Sequence, residues 1–147
     1  MNMRGKWVGW YAYNNKKIDK IRGVDKTMFS IYIDTVNGNK FYGTVEDDKN
    51  TLGMEGIGRI EGTVEGNVMS FTKKMPFRTL LIRGERVIDK SKKHPTVYYK
   101  GTGVNDNSFK GEWKFKFGLT FIGMMPAILL PIKGTWEMKR ETDIVEP

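Results

Sequence analysis

The residues of this chain that could carry chemistry are few and scattered. Glu46, Asp47 and Asp48 offer adjacent carboxylates, the groups an acid/base pair or a metal requires. Asp48 and Asn50 precede Gly53, however, and that is the composition of a strand connection whose Asp side chains hold backbone amides. The spacing of a Ca²⁺-binding EF-hand loop is absent, so these acids read as turn residues. The single histidine, His94, stands before Pro95 at a strand start. One imidazole does not make a His-based zinc site, and no Ser or Cys partner is placed by motif, so its expected role is structural. Cysteine is absent, which excludes disulfides, thiolate metal sites and a Cys nucleophile. The expectation is a non-enzyme with no catalytic residue, no metal and no cofactor.

Whatever else these residues do depends on the elements that hold them, and those have period 2. Phe109-Lys-Gly-Glu-Trp113-Lys-Phe115-Lys-Phe117 alternates apolar residues or glycine with charge for nine residues, the pattern of a half-buried strand. Met69-Ser-Phe71 and Phe29-Ser-Ile31-Tyr-Ile33-Asp repeat it. Turn signals separate the runs at Asn37-Gly38, the preferred pair of a type I′ hairpin, at Gly66-Asn67 and at Asn105-Asp106-Asn107. The spacing predicts eight strands over 5–14, 27–36, 39–47, 55–65, 67–75, 95–104, 108–117 and 131–140. Two long connections remain, a basic one from Pro76 to His94 and an apolar one from Gly118 to Leu130. At 147 residues and with no linker, the chain is expected to form one domain, 1–147.

An internal repeat sets the architecture. Trp7-x-Gly9-x-Tyr11, Phe41-x-Gly43-x-Val45, Ile60-x-Gly62-x-Val64, Phe109-x-Gly111-x-Trp113 and Ile132-x-Gly134-x-Trp136 share one template, and Tyr99-x-Gly101-x-Gly103 matches it less fully. Residues two apart face one side of a strand, so each glycine points with its apolar neighbours. Glycine weakens a strand interior, and six such placements are explained by a sheet that must coil sharply to close. The expected fold is all-β: an eight-stranded antiparallel up-and-down barrel.

Gly5-Lys6-Trp7 at the start of the first strand resembles the Gly-x-Trp motif of the calycin group, the lipocalins and avidin-like barrels. The run Phe41-x-Gly43…Asp48…Gly53…Ile60-x-Gly62…Phe71-x-Lys73 is similar to uncharacterised bacterial lipocalin-like domains. The resemblance implies a calycin-like barrel with Trp7 and Arg140 as a structural base-closing pair of cation–π character. The lipocalin cysteines are missing, a C-terminal helix after Arg140 is not expected, and no residue set transfers as a ligand site.

The inward parity gathers aromatic residues, and an eight-stranded barrel either fills with its side chains or holds one small ligand. A small apolar or aromatic ligand in the interior would contact Tyr11, Tyr13, Phe29, Phe71, Lys73, Tyr99, Trp113 and Phe115, with the phenols orienting it. Lys73 shares the parity of Met69 and Phe71, so near the rim it would pair with a ligand carboxylate. The weightier alternative is that its strand leaves the core there and the lysine reaches water. If the rings fill the barrel, the alternative function is a protein-interaction or oligomerisation module working through the apolar 118–130 connection.

Net charge is +8 and uneven. Lys73 to Lys100 holds nine Lys/Arg and two acids, whereas Phe41 to Gly66 holds six acids and two bases. Between Lys73 and Lys93 only Phe77 is aromatic, so nucleic acid ranks low as a partner. The longest uncharged run, Phe117 to Ile132, has 16 residues and two prolines, too short and too broken for a membrane span. A cysteine-free chain whose first ten residues lack the apolar core of a secretory signal is expected to be soluble and cytoplasmic.

Overall fold

The structure, a computed structural model, describes residues 2–82, 85–115, 118–122, 124–129 and 132–142. Eight strands close into an antiparallel barrel: β1 (Gly5–Tyr13), β2 (Thr27–Asn37), β3 (Lys40–Asp47), β4 (Ile57–Glu65), β5 (Val68–Lys74), β8 (Val97–Asn105), β9 (Ser108–Phe115) and β12 (Ile132–Thr142). Neighbours in sequence pair as neighbours in space. The seam closes where β1 meets β12, from Lys6↔Thr142 to Tyr13↔Gly134. These are the eight strands that alternation predicts, with ends displaced by at most two residues. The expected extension of β9 to Phe117 falls on residues outside those described.

Alternation decides which side is core. Along β1 the odd positions Trp7, Gly9 and Tyr11 are buried, and along β2 Phe29, Ile31 and Ile33 are. The outer wall carries Arg59 and Glu61 on β4, Lys110, Glu112 and Lys114 on β9, and Glu137 and Lys139 on β12. A barrel that spans a membrane presents an apolar band outward, so this polarity is the reverse. Among the described residues no helix is long and apolar enough to cross a membrane.

The template glycines sit where strands press together. A Cβ at Gly134 would strike the Ala12 carbonyl oxygen and lie 2.6 Å from the Trp113 ring. At Gly101 it would meet the Lys110 carbonyl and come within 2.7 Å of Trp136, and at Gly62 it would meet the Ser70 carbonyl and lie 2.7 Å from Phe41. The volume that glycine vacates is thus taken by the adjacent backbone and by an aromatic ring. The buried indoles also find acceptors there. Trp113 Nε1 donates to the Ala12 and Thr135 carbonyls at 3.1 Å each, and Trp136 Nε1 donates to the Glu112 carbonyl at 3.1 Å.

The two ends differ. At one end β2–β3, β4–β5 and β8–β9 are joined by two-residue turns. Trp7 closes this end, donating from Nε1 to the Met3 carbonyl at 2.9 Å, and the Arg140 guanidinium lies 4.6 Å above its ring centroid. Arg140 also donates to the Arg4 carbonyl and, at 3.1 Å, to Asn107 Oδ1. The β2–β3 turn is displaced by one from the expected Asn37-Gly38. Asn37 pairs with Lys40, so Gly38 (φ +62°) and Asn39 form the loop, with glycine at its first position as type II′ requires.

The other end carries every long connection, and here the structure adds elements that alternation did not predict. A seven-residue helix, α1 (Lys16–Arg22), links β1 to β2 and ends on Gly23 at φ +76°; it is too short for helical periodicity to register. The basic connection contains a hairpin, β6 (Arg78–Ile82) with β7 (Glu85–Asp89). The apolar one contains another, β10 (Gly118–Ile122) with β11 (Met125–Leu129). Neither hairpin joins the barrel sheet. Pro126 is tolerated in β11 because a two-stranded sheet is all edge.

Candidate functional site

At the inner wall below the long connections the chain buries a charged pair. Lys73 and Asp47 have side chains 2% and 0% exposed, with Nζ 2.6 Å from Oδ1. The second carboxylate oxygen accepts from the Tyr11 hydroxyl at 2.8 Å and from the Met54 backbone N–H at 3.0 Å. The ammonium also lies 4.6 Å from the Tyr11 ring centroid and 5.9 Å from that of Phe29. In the barrel order β1 and β5 stand four strands apart, so the contact of Lys73 with Tyr11 crosses the cylinder.

Local structure explains how the acid comes to be buried. Asp47 is the last residue of β3 and continues its inward parity after Phe41 and Val45. The chain then wraps over it. Asp48 caps the 3₁₀ turn Lys49–Thr51 by accepting from Asn50 N at 2.8 Å, Leu52 takes a left-handed conformation at φ 59°, and Gly53 rests on the Asp47 side chain with no room for a Cβ. Thr27 and Thr51 fasten this wrap to β2 through Thr27 Oγ1 to the Thr51 carbonyl at 2.8 Å and Met28 N to Thr51 Oγ1 at 2.9 Å. The turn reading of Glu46-Asp47-Asp48 therefore holds for Asp48 and is corrected for Asp47. It had no sequence signal beyond its parity with Phe41 and Val45. The expectation that Lys73 reaches water is also corrected: β5 keeps its alternation through Lys73, and Asp47 compensates the charge.

The interior residues named from sequence meet one another. Phe71 stacks on Tyr99 at 4.5 Å between centroids and meets Trp136 edge-on at 5.4 Å. Tyr11 contacts Phe29 at 6.3 Å and Trp113 at 5.9 Å; Tyr13, half-buried at the rim, meets Trp113 at 4.9 Å; and Trp113 stacks on Phe115 at 6.2 Å. His94, read as structural, sits against Phe115 at 5.2 Å and is 8% exposed.

Electrostatics follow burial. The Tyr11 and Tyr99 hydroxyls are raised well above their usual value, first by burial and then by the Asp47 charge, so both stay protonated donors. His94 is lowered from 6.5 to about 4, first by burial, then by the positive charges of Lys73 and Arg78, with Asp47 opposing. The arrangement is a neutral imidazole, two protonated phenols and one internal ion pair. Among the described residues no group of three His, Cys, Asp or Glu is placed to hold a metal. A groove of about 570 Å³ is lined by the outward Tyr98, Lys100, Glu112 and Lys114 and also touches Phe71, Tyr99 and Trp113 of the candidate set, but not Lys73, Asp47 or Tyr11.

Fold and site together define a closed eight-stranded up-and-down barrel with a buried Lys–Asp–Tyr cluster under its looped end. No protein-family model, curated protein or solved structure matches the chain.

Two outcomes test the cluster. Asp47→Ala strands a buried ammonium and should cost about 3–5 kcal/mol of unfolding free energy, whereas Asp47→Leu with Lys73→Met should cost far less. Urea titration of both variants checks this, and equal losses would show that the pair is not buried as a unit. For His94, the unfolded chain takes up a proton between pH 6.5 and about 4 that the folded chain refuses. Stability is therefore fully present above pH 6.5 and falls as pH drops through that window, with a slope approaching about 1.4 kcal/mol per pH unit. In His94→Asn the loss between pH 7 and pH 5 should shrink; an unchanged loss would show that His94 charges freely in the folded state.

Proposed function

We infer that this protein is a packed barrel that works by attachment: the cylinder is a rigid scaffold, and its looped end, with the uncharged β10–β11 hairpin, engages a partner. One observation carries this. The space beside Gly134, Gly101 and Gly62 is occupied by Trp113, Trp136 and Phe41, and the candidate interior residues contact one another ring against ring. The hairpin then becomes the feature most in need of a role. An isolated two-stranded hairpin is marginal in water; this one bears no charge from Gly118 to Leu129 and pairs only with itself as a sheet. At its turn Met124 is 97% exposed. We place the barrel in the calycin-like group on the support of Gly5-Lys6-Trp7 and the Arg140 guanidinium over Trp7.

A second reading has its own support. A Lys–Asp pair with two protonated phenols, set among rings below the looped end, is the kind of polar group that orients a small aromatic ligand in an apolar site. Tyr13, Phe115 and His94 border that level. In this reading the protein is a carrier or sensor, and Lys73 with Tyr11 reads the polar end of the ligand.

Deleting residues 120–129 separates the readings. Attachment predicts a barrel that melts near the wild-type temperature and loses self-association or partner binding, measured by light scattering and pull-down; a collapse of the melting temperature would instead make the hairpin a plug of the barrel. The carrier reading predicts that a small aromatic ligand quenches tryptophan fluorescence and, at a hundred times its Kd, stabilises the fold by about 2.7 kcal/mol. Lys73→Met should weaken both effects, and the absence of any ligand-dependent shift across an aromatic library would remove that reading.

A further inference from the structure

Charge is distributed along the barrel axis. The connections at the looped end are 15–26, 48–56, 75–96 and 116–131. By sequence these connections carry net charges of +3, −1, +4 and +1, so together they account for +7 of the chain's +8. At the opposite end, residues 1–4 and the turns 38–39, 66–67 and 106–107 sum to zero. Apolar surface stands free at both ends, with Val36, Val68 and Val104 beside the short turns, but only at the positive end does it lie among basic connections. Besides Met124, the exposed residues include Ile57 at 64% where β4 begins, and Val87 and Ile88 at 38% and 37% on β7. Exposed Lys90, 3.6 Å from the Glu55 carboxylate, and exposed Lys93 adjoin β7. The topology sets the two hairpins side by side, one bridging β5 to β8 and the other β9 to β12.

We propose that this end docks peripherally on an anionic lipid surface, the β10–β11 hairpin entering the headgroup layer while the basic residues of the neighbouring connections meet lipid phosphates. The proposal rests on the attachment reading and names its partner. An uncharged hairpin within a basic field matches the two contributions of peripheral membrane binding, apolar burial at the acyl boundary and attraction of Lys and Arg to anionic headgroups. Other partners fit less well. A second copy meeting face to face would set +7 against +7, and like charges across an interface oppose association. A nucleic acid rewards the charge but offers an uncharged, mainly aliphatic hairpin little; stacking would need aromatics interleaved with the basic residues, and between Lys73 and Lys93 Phe77 stands alone.

The test is co-sedimentation of the full chain with vesicles of phosphatidylcholine alone and of phosphatidylcholine with phosphatidylserine, about four to one. Binding is expected on the anionic vesicles, not on the neutral ones, and should weaken as salt rises. Lys90→Gln with Lys93→Gln should reduce partitioning by about fivefold for each lysine. Met124→Asp, at a fully exposed position that leaves the fold intact, should reduce it further. Failure to sediment with anionic vesicles at low salt overturns the proposal, as does binding indifferent to Met124→Asp and to the lysine variants. Binding to single-stranded nucleic acid without vesicle binding also overturns it. If vesicle binding fails but light scattering shows a dimer that the 120–129 deletion dissolves, the attachment reading stands with a second copy as partner. If neither vesicle binding, nor mass, nor pull-down depends on the hairpin, both fall.

Discussion

Closing eight strands into a narrow cylinder brings backbone against backbone on the inner wall, and everything else in this molecule is arranged around that crowding. A side chain at Gly134, Gly101 or Gly62 would collide with a carbonyl oxygen of the neighbouring strand. Glycine is therefore a steric requirement at these positions, and the helical or open-sheet alternatives that a side chain would permit are given up. The cost is conformational entropy in the unfolded chain and lost side-chain burial. Rings reaching across from neighbouring strands offset that cost. Each buried ring contributes roughly 1.5–3 kcal/mol, and the indole N–H groups of Trp113 and Trp136 gain backbone acceptors because the same approach brings carbonyls within reach.

The buried Lys73–Asp47 pair belongs to this economy of space in a different way. Removing two charges from water costs several kcal/mol each, and their attraction repays it only with good geometry and additional hydrogen bonds. Both conditions hold: the contact is 2.6 Å, and the remaining carboxylate oxygen is satisfied by Tyr11 and the Met54 amide. Because the three side chains come from β1, β3 and β5, the cluster fixes the relative height of strands that do not touch through backbone bonds. An apolar substitute could slide; this one cannot without exposing a charge.

Much of the fold is legible in the sequence because period 2 and the glycine template report the same fact, a sheet with one apolar face that must bend. Phe109 to Phe115 alone identifies a strand and its inward side. The site is far less legible. Asp47 lies in an acidic run that looks like a turn, and only its shared parity with Phe41 and Val45 points inward. Lys73 continues its strand's alternation, but a lysine at a strand end ordinarily signals water. What pairs them is a side-chain contact between β3 and β5 past the intervening β4, and no local pattern encodes such contacts. The helix Lys16–Arg22 and the two hairpins escape for the opposite reason: they are shorter than the window over which periodicity becomes visible.

The join between β1 and β12 has a consequence for how the molecule is made. Residues 6 to 13 pair with residues 134 to 142, the most distant strand pairing among the described residues. During synthesis the first strand emerges with one flank free to bond to β2 and the other unsatisfied, and it stays so until β12 has left the ribosome. Contacts of such long sequence separation form slowly. Until then the growing chain has a bare edge, and in the closed barrel the Arg140 guanidinium lies over Trp7 at the seam that removes it.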